Sequence, residues 1–261
     1  MIGAIAGDII GSRFEGQPGP RADFLLFHPD CRFTDDTVCS LAVADALMGA
    51  RDFAPRLRAF VRRHPDRGYG GMFIDWAFAD AMGPYGSWGN GAPMRVAAVG
   101  WLAKDDAEAA ELAASQAAVT HDHPEAMSAA QAVAVAIFLL RMGEPVTAVR
   151  KRLTKDFGYD LTAESALVRG GFDISAAGTI PPAVAAAFEA TDWESAVRTA
   201  VCLGGDTDTL ACIAGAVAEA IHGVPAEIST AARDYLTEDL RALLKRFEAA
   251  VGREAPQKPR R

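Results

Sequence analysis

Apolar residues recur at helical spacing in one segment after another of this chain, and no segment shows a convincing period-two alternation. That single property removes most sheet-based folds. The pattern predicts helices over residues 1–10, 36–50, 93–103, 106–119, 125–142, 146–157, 183–189, 193–203, 209–221 and 236–251. Pro55 marks a further helix start, since a proline in the first turn gives up a donor that has no intrahelical partner there. Abundant Ala and Gly with few aromatics suit close-packed small-residue helices better than a β-sandwich. No Ser/Pro-rich linker divides the 261 residues, a length that buries a sizeable core. The expected architecture is all-α, one compact domain of orthogonal helices over residues 1–252, followed by a polar tail at 253–261 (REAPQKPRR) with the composition of disorder.

The formal net charge of −8 argues against a general nucleic-acid surface or an anionic-membrane surface, because both need clustered Lys and Arg. It also sets a problem for any phosphate-bearing ligand, one that bound cations would solve. Cys31, Cys39, Cys202 and Cys212 form no CxxC pair and no cluster with His, so reduced thiols are expected. The opening MIGAIAGDII has no basic segment and carries Asp8 inside its apolar run, which makes a poor secretory leader. The most apolar stretch, 129–140, is too short to span a bilayer and is interrupted by Gln131. A cytoplasmic monomer is the expectation.

Two acidic motifs carry the chemistry. Thr34-Asp35-Asp36 stands just before an apolar helix. Capping explains one of these side chains, but two adjacent carboxylates repel each other unless a cation sits between them. Gly204-Gly-Asp-Thr-Asp-Thr209 likewise precedes an apolar helix, and a cap accounts for one acid, not for Asp206 and Asp208 together. Its paired glycines permit a turn closed to other residues and a close approach of backbone to a ligand. Oxygen donors without nearby His or Cys suit hard cations such as Mg²⁺ or Mn²⁺. Two such clusters, each at a helix N-terminus, would hold a pair of ions if the fold brought them together.

Three further segments are weaker signals. Gly3, Gly7 and Gly11 fall on one helical stripe that permits close packing, and Glu15 follows it. Gly86-Ser-Trp-Gly-Asn-Gly91 is a flexible glycine loop able to wrap a nucleotide, with backbone amides for phosphate and an indole for a base. Thr120-His-Asp-His-Pro124 precedes a long apolar helix, a place where histidines serve more often as caps and polar filler than as ligands.

Taken together, GAIAGDIIGSRFEG, FTDDT, PDRGYG, GSWGNGAPMR, THDHPEA and LGGDTDT resemble, in their order, the ADP-ribosylglycohydrolases, the group that includes the dinitrogenase reductase-activating glycohydrolase and the ADP-ribosyl-acceptor hydrolases. The pairing of TDDT with GGDTDT is the specific part. The resemblance implies an all-α fold with a dinuclear Mg²⁺ or Mn²⁺ site in a central cleft. It implies ligands Thr34, Asp35, Asp36, Asp206, Asp208 and Thr209, and a carboxylate near the metals at Glu15 that matters for turnover. Catalysis would then rest on Glu15, Asp35, Asp36 and Asp208. Ser87, Trp88, Gly89, Asn90 and Gly91 match the loop that grips the diphosphate and the distal end of ADP-ribose, with Trp88 where other members have Tyr. His121 matches a histidine of the substrate cleft. The implied reaction is hydrolysis of the glycosidic bond at C1″ of an ADP-ribosylated protein or other acceptor. The chain is short for the family, which implies the loss of insertions that shape acceptor choice in longer members and leaves the acceptor open. Two other readings use the same residues: a two-metal hydrolase of phosphoesters or nucleotide-derived substrates, and a non-catalytic ADP-ribose-binding protein.

Overall fold

A computed structural model describes residues 1–166 and 171–254. The described residues contain fourteen α-helices and no strand, only two isolated bridges. In chain order the helices are α1 (Ile2–Gly11), α2 (Asp35–Leu47), α3 (Phe53–Arg63), α4 (Gly71–Phe78), α5 (Ala97–Leu102), α6 (Asp106–Ala117) and α7 (Pro124–Arg141). The second half adds α8 (Val146–Phe157), α9 (Ala163–Ala166), α10 (Ala176–Glu189), α11 (Trp193–Cys202), α12 (Thr207–His222), α13 (Ala226–Asp234) and α14 (Glu238–Glu254).

Helices α1 and α12 form the centre. Both are buried along nearly their whole length. The glycine stripe of α1 faces α12 so closely that a Cβ at Gly3, Gly7 or Gly11 would meet the carbonyl oxygens of Gly215, Ala211 and Thr207 at 2.4, 2.0 and 2.3 Å. No side chain fits in that seam. The close approach sets Asp8 of α1 opposite the first turn of α12, and Thr207 locks the register by donating its hydroxyl to the Gly11 carbonyl at 2.9 Å.

Several elements differ from the sequence expectation, each for a local reason. Residues 93–103 divide into a 3₁₀ turn (Pro93–Arg95) and α5. Helix α4 is hidden in sequence by the glycines before it; Phe73, Trp76 and Ala77 bury one face, and α3 arginines satisfy its C-terminal carbonyls. Arg58 donates to the Trp76 carbonyl at 3.2 Å, and Arg62 to that of Ala77 at 2.7 Å. Helix α10 starts seven residues before the expected 183 despite Pro181 and Pro182. Ser175 caps it by accepting from the Gly178 amide at 3.0 Å, and the Trp88 carbonyl accepts from the Ala176 amide at 3.0 Å. These anchors offset the two donors that proline removes. Helix α13, after Pro225, was likewise not expected.

Helix α7 extends well beyond the apolar stretch at 129–140: its 18 residues are long and apolar enough to cross a membrane by length and composition alone, but 61% of that span is buried inside the fold, as in a core helix. Helix α14 runs through Glu254, two residues into the expected tail, and the rest of that tail lies outside the described residues. Cys31, Cys39 and Cys212 are buried free thiols.

Candidate active site

The two acidic motifs meet at the N-terminal ends of α2 and α12, and a third acid joins them. Asp8, which interrupts the apolar run of α1, is wholly buried among them. Its carboxylate accepts from the Thr34 amide (3.0 Å), the Thr34 hydroxyl (2.7 Å), the Thr37 amide (3.2 Å) and the Thr37 hydroxyl. Thr34 is at the same time the N-cap of α2, accepting from the Asp36 amide at 3.3 Å. Capping and site-building are therefore done by one residue, and the two explanations of the motif are not exclusive.

One carboxylate oxygen from each of Asp8, Asp36 and Asp208 lies within 4.8 Å of the others, and the same limit holds for Glu15, Asp206 and Asp208. Asp208 belongs to both triads. Thr209 donates to Asp36 Oδ2 at 3.3 Å, and Asn90 donates to Asp206 Oδ2 at 2.6 Å. Asp206 is the N-cap residue of α12 but makes no side-chain capping bond, so its carboxylate faces the site and not its own helix. Asp36 Oδ1 is buried with no hydrogen-bond partner among the described residues.

Burial raises the whole cluster. Desolvation pushes Asp8 up to about 6 against its four hydrogen bonds. Desolvation, reinforced by the Asp8 charge, pushes half-buried Asp35 up to about 8. Asp36 and Asp208 are held well above the ordinary carboxylate range, by burial first and then by neighbouring acids. Glu15 is raised by burial and by Asp206, with Arg32 opposing. Carboxylates crowded this closely cannot all ionise without added positive charge. An all-oxygen donor set with an orphaned, buried carboxylate oxygen fits a hard divalent cation.

The glycines of Gly204-Gly205 make the turn expected of them, but it packs against the chain's own backbone. Both take positive φ, and their neighbours are backbone, not a ligand surface. The Gly205 amide donates to Gln17 at 3.1 Å, and the Gly205 carbonyl accepts from Gly16 at 2.8 Å. This two-bond clamp ties the segment just after Glu15 to the residue before Asp206. It is what assembles the second triad.

A cavity of about 640 Å³ opens from the acidic cluster. Glu15, Asp35, Asp36, Asp206, Asp208 and Thr209 line it together with the loop at 86–91 and His121, and Asn90 joins the loop to the acids. Trp88 is half exposed at the rim. The loop is pinned rather than flexible: the amides of Gly86, Gly89 and Asn90 donate to Asp122 (2.7 Å), Ser87 (3.3 Å) and Ile174 (2.8 Å). Its glycines answer to packing as well, since a Cβ at Gly91 would lie 2.9 Å from His121 Nε2.

The ADP-ribosylglycohydrolase family model matches residues 1–257. This chain belongs to the ADP-ribosylglycohydrolase family. Its relatives include ADP-ribosylhydrolase ARH3 of Xenopus tropicalis, 24% identical over 85% of this chain and 86% of that protein. ADP-ribosylarginine hydrolase Tri1 of Pseudomonas putida (strain GB-1) is 25% identical over 86% of this chain and 70% of its own length. A solved ADP-ribosylglycohydrolase-related protein complex contains a chain that superposes with a TM-score of 0.72 at 26% identity, covering 97% of this chain and 96% of that one. Membership makes the chain a hydrolase.

Within this ADP-ribosylglycohydrolase fold, every residue expected at the site from sequence borders the cavity or the acidic cluster. The two histidines of Thr120-His-Asp-His-Pro124 separate in role: His123 caps α7, accepting from the Glu125 amide at 3.3 Å, and His121 faces the cleft. Sequence reasoning missed Asp8 in the acidic cluster and Arg95 in the cavity lining. The signal for both was a charged residue inside an otherwise apolar or small-residue segment.

Proposed function

We propose that this chain removes ADP-ribose from an ADP-ribosylated acceptor by hydrolysing the glycosidic bond at C1″, with two divalent cations, Mg²⁺ or Mn²⁺, as cofactors. The observation that carries this reading is the pair of carboxylate triads sharing Asp208 at the head of a cleft large enough for a nucleotide-sized ligand. Asp8, Asp36 and Asp208 would hold one cation and Glu15, Asp206 and Asp208 the other, with Thr34, Asp35 and Thr209 completing the surroundings. Bound there, such ions supply Lewis-acid polarisation and a water of lowered pKa.

The remaining work falls to the chain itself. Asn90 orients Asp206 by donating to Oδ2, and Thr179 accepts the other Asn90 amide hydrogen at 3.1 Å, which fixes the amide. Glu15 borders the open cavity with its pKa raised, the state required of a carboxylate that takes a proton from an attacking water. The Ser87, Trp88 and Gly91 amides have no partner among the described residues and are the loop's free donors for a diphosphate. The Trp88 indole at the rim offers a stacking face to a base.

The test is to incubate the protein with a panel of ADP-ribosylated acceptors, with and without chelator, and measure released ADP-ribose. Chelator-sensitive release from at least one acceptor is expected. Release of inorganic phosphate or a mononucleotide instead would favour a phosphoesterase. Tight ADP-ribose binding with no turnover on any acceptor would leave a binding protein.

A further inference from the structure

His121 makes one hydrogen bond through its ring, and that bond determines which nitrogen carries the proton. Nδ1 lies 2.6 Å from the Thr120 hydroxyl oxygen, and Nε2 faces Gly89 and Gly91 at the cavity wall with no partner among the described residues. The Thr120 hydroxyl has a second neighbour. Arg95 is wholly buried and donates through Nη2 to Thr120 Oγ1 at 3.0 Å and to the Gln116 carbonyl at 3.0 Å. Its Nε donates to Gln116 Oε1 at 2.6 Å. The Gln116 amide cannot be turned the other way round, because its nitrogen already donates to the Ala92 and Ala113 carbonyls at 3.1 Å each.

Direction now follows from chemistry. A guanidinium has donors only, so Thr120 Oγ1 must accept from Arg95. The threonine's own proton then needs an acceptor, and among the described residues His121 Nδ1 is the one in reach. The opposite arrangement, with Nδ1–H donating, would leave a buried hydroxyl proton unpaired. We propose that Arg95, acting through Thr120, is a positioning residue that fixes His121 as its Nε2–H tautomer, so that this wall of the cleft presents a neutral N–H donor to an oxygen of the ligand.

Two features agree. Burial, followed by the Arg95 charge, holds His121 well below the ordinary histidine range, so the ring stays neutral at pH 7. The absence of a Cβ at Gly91 leaves Nε2 uncovered. The partner class is an acceptor oxygen, on a phosphate or a ribose, and that assignment rests on the proposed function. The tautomer itself does not.

Nitrogen-15 NMR of protein labelled at its five histidines, with His121 assigned by its loss in His121→Gln, reads the tautomer directly. The wild type should show Nε2 protonated and Nδ1 bare. Thr120→Val should lose that preference, Thr120→Ser should keep it, and Arg95→Met should shift it if the variant folds. In titrations with ADP-ribose, Thr120→Val should bind about tenfold more weakly, as for one lost hydrogen bond, and Thr120→Ser near normally. A proton on Nδ1 in the wild type, or an unchanged tautomer in Thr120→Val, overturns the proposal. If the wild type fails to bind ADP-ribose while the spectra follow the expected pattern, the positioning role stands and the ligand assignment falls with the proposed function.

Discussion

The two carboxylate triads share Asp208 but are built on opposite principles. The triad of Asp8, Asp36 and Asp208 is buried throughout, and Asp8 is held by four donors from Thr34 and Thr37, three on Oδ2 and one on Oδ1. The triad of Glu15, Asp206 and Asp208 borders the cavity, with Glu15 half-buried and hung on a loop clamped by Gly205. A group wrapped in fixed donors between packed helices is held still. A group at the mouth is able to meet solvent and substrate. On the proposed function, Asp8 would serve the framework of the site and Glu15 its turnover.

Removing the shared member gives the largest effect. Asp208→Ala breaks both triads at once, and ions at such a site are worth several kcal/mol of transition-state stabilisation, so turnover should fall by about 10³-fold or more. Calorimetric titration with Mn²⁺ should show lost uptake, and circular dichroism should show retained helix. Wild-type turnover would end the metal reading.

The next pair separates the triads. Glu15→Gln keeps shape and removes charge; kcat should drop about 10²-fold while Tm hardly moves. Asp8→Ala strands the hydroxyl and amide donors of Thr34 and Thr37 in the core, and stability should fall by about 1–3 kcal/mol in denaturant unfolding. Equal losses of stability in both variants would erase the distinction between inner and outer triads.

A substitution at the exposed rim of the cleft serves as the contrast to both. Trp88→Ala should weaken ADP-ribose binding by roughly ten- to a hundred-fold, the value of one base stack, without changing Mn²⁺ uptake. Unchanged affinity by calorimetry would make the indole a packing residue.

The smallest effect concerns pH. The folded pKa values of Asp8 and Asp35 are raised, to about 6 and about 8, above an ordinary value of 3.8. An acid whose folded pKa is raised favours folding while protonated. Its contribution is complete below pH 3.8 and is lost as pH rises through the folded value. Chelator-treated protein should thus lose Tm as pH climbs from about 4 to about 8, and Mn²⁺ should restore most of the loss at the upper end. A metal-free Tm that rises over this window would contradict the crowding of ionised acids in the cluster.

Much of this protein could be read from its sequence because the relevant physics is local. The helical period set the fold class, since apolar spacing determines which face an element can bury. Paired acids at helix starts marked Asp35, Asp36, Asp206 and Asp208, because more carboxylates stood there than capping requires. The glycine stripe announced a close helix seam. Tertiary structure alone decided what crossed that seam. Asp8 looks like a flaw in an apolar helix until the Gly–Ala seam sets it opposite Asp208, and no short-range pattern encodes that opposition. Gly204-Gly205 reads as a ligand loop, yet its positive-φ backbone clamps Gly16 and Gln17, an interaction across nearly 190 residues. Helix α10 runs through Pro181 and Pro182 because Ser175 and the Trp88 carbonyl hold its start, outweighing a local preference to break. In each case the deciding partner lies far away along the chain. Residue type and spacing specify what a side chain is able to do, whereas packing specifies which group it does it with.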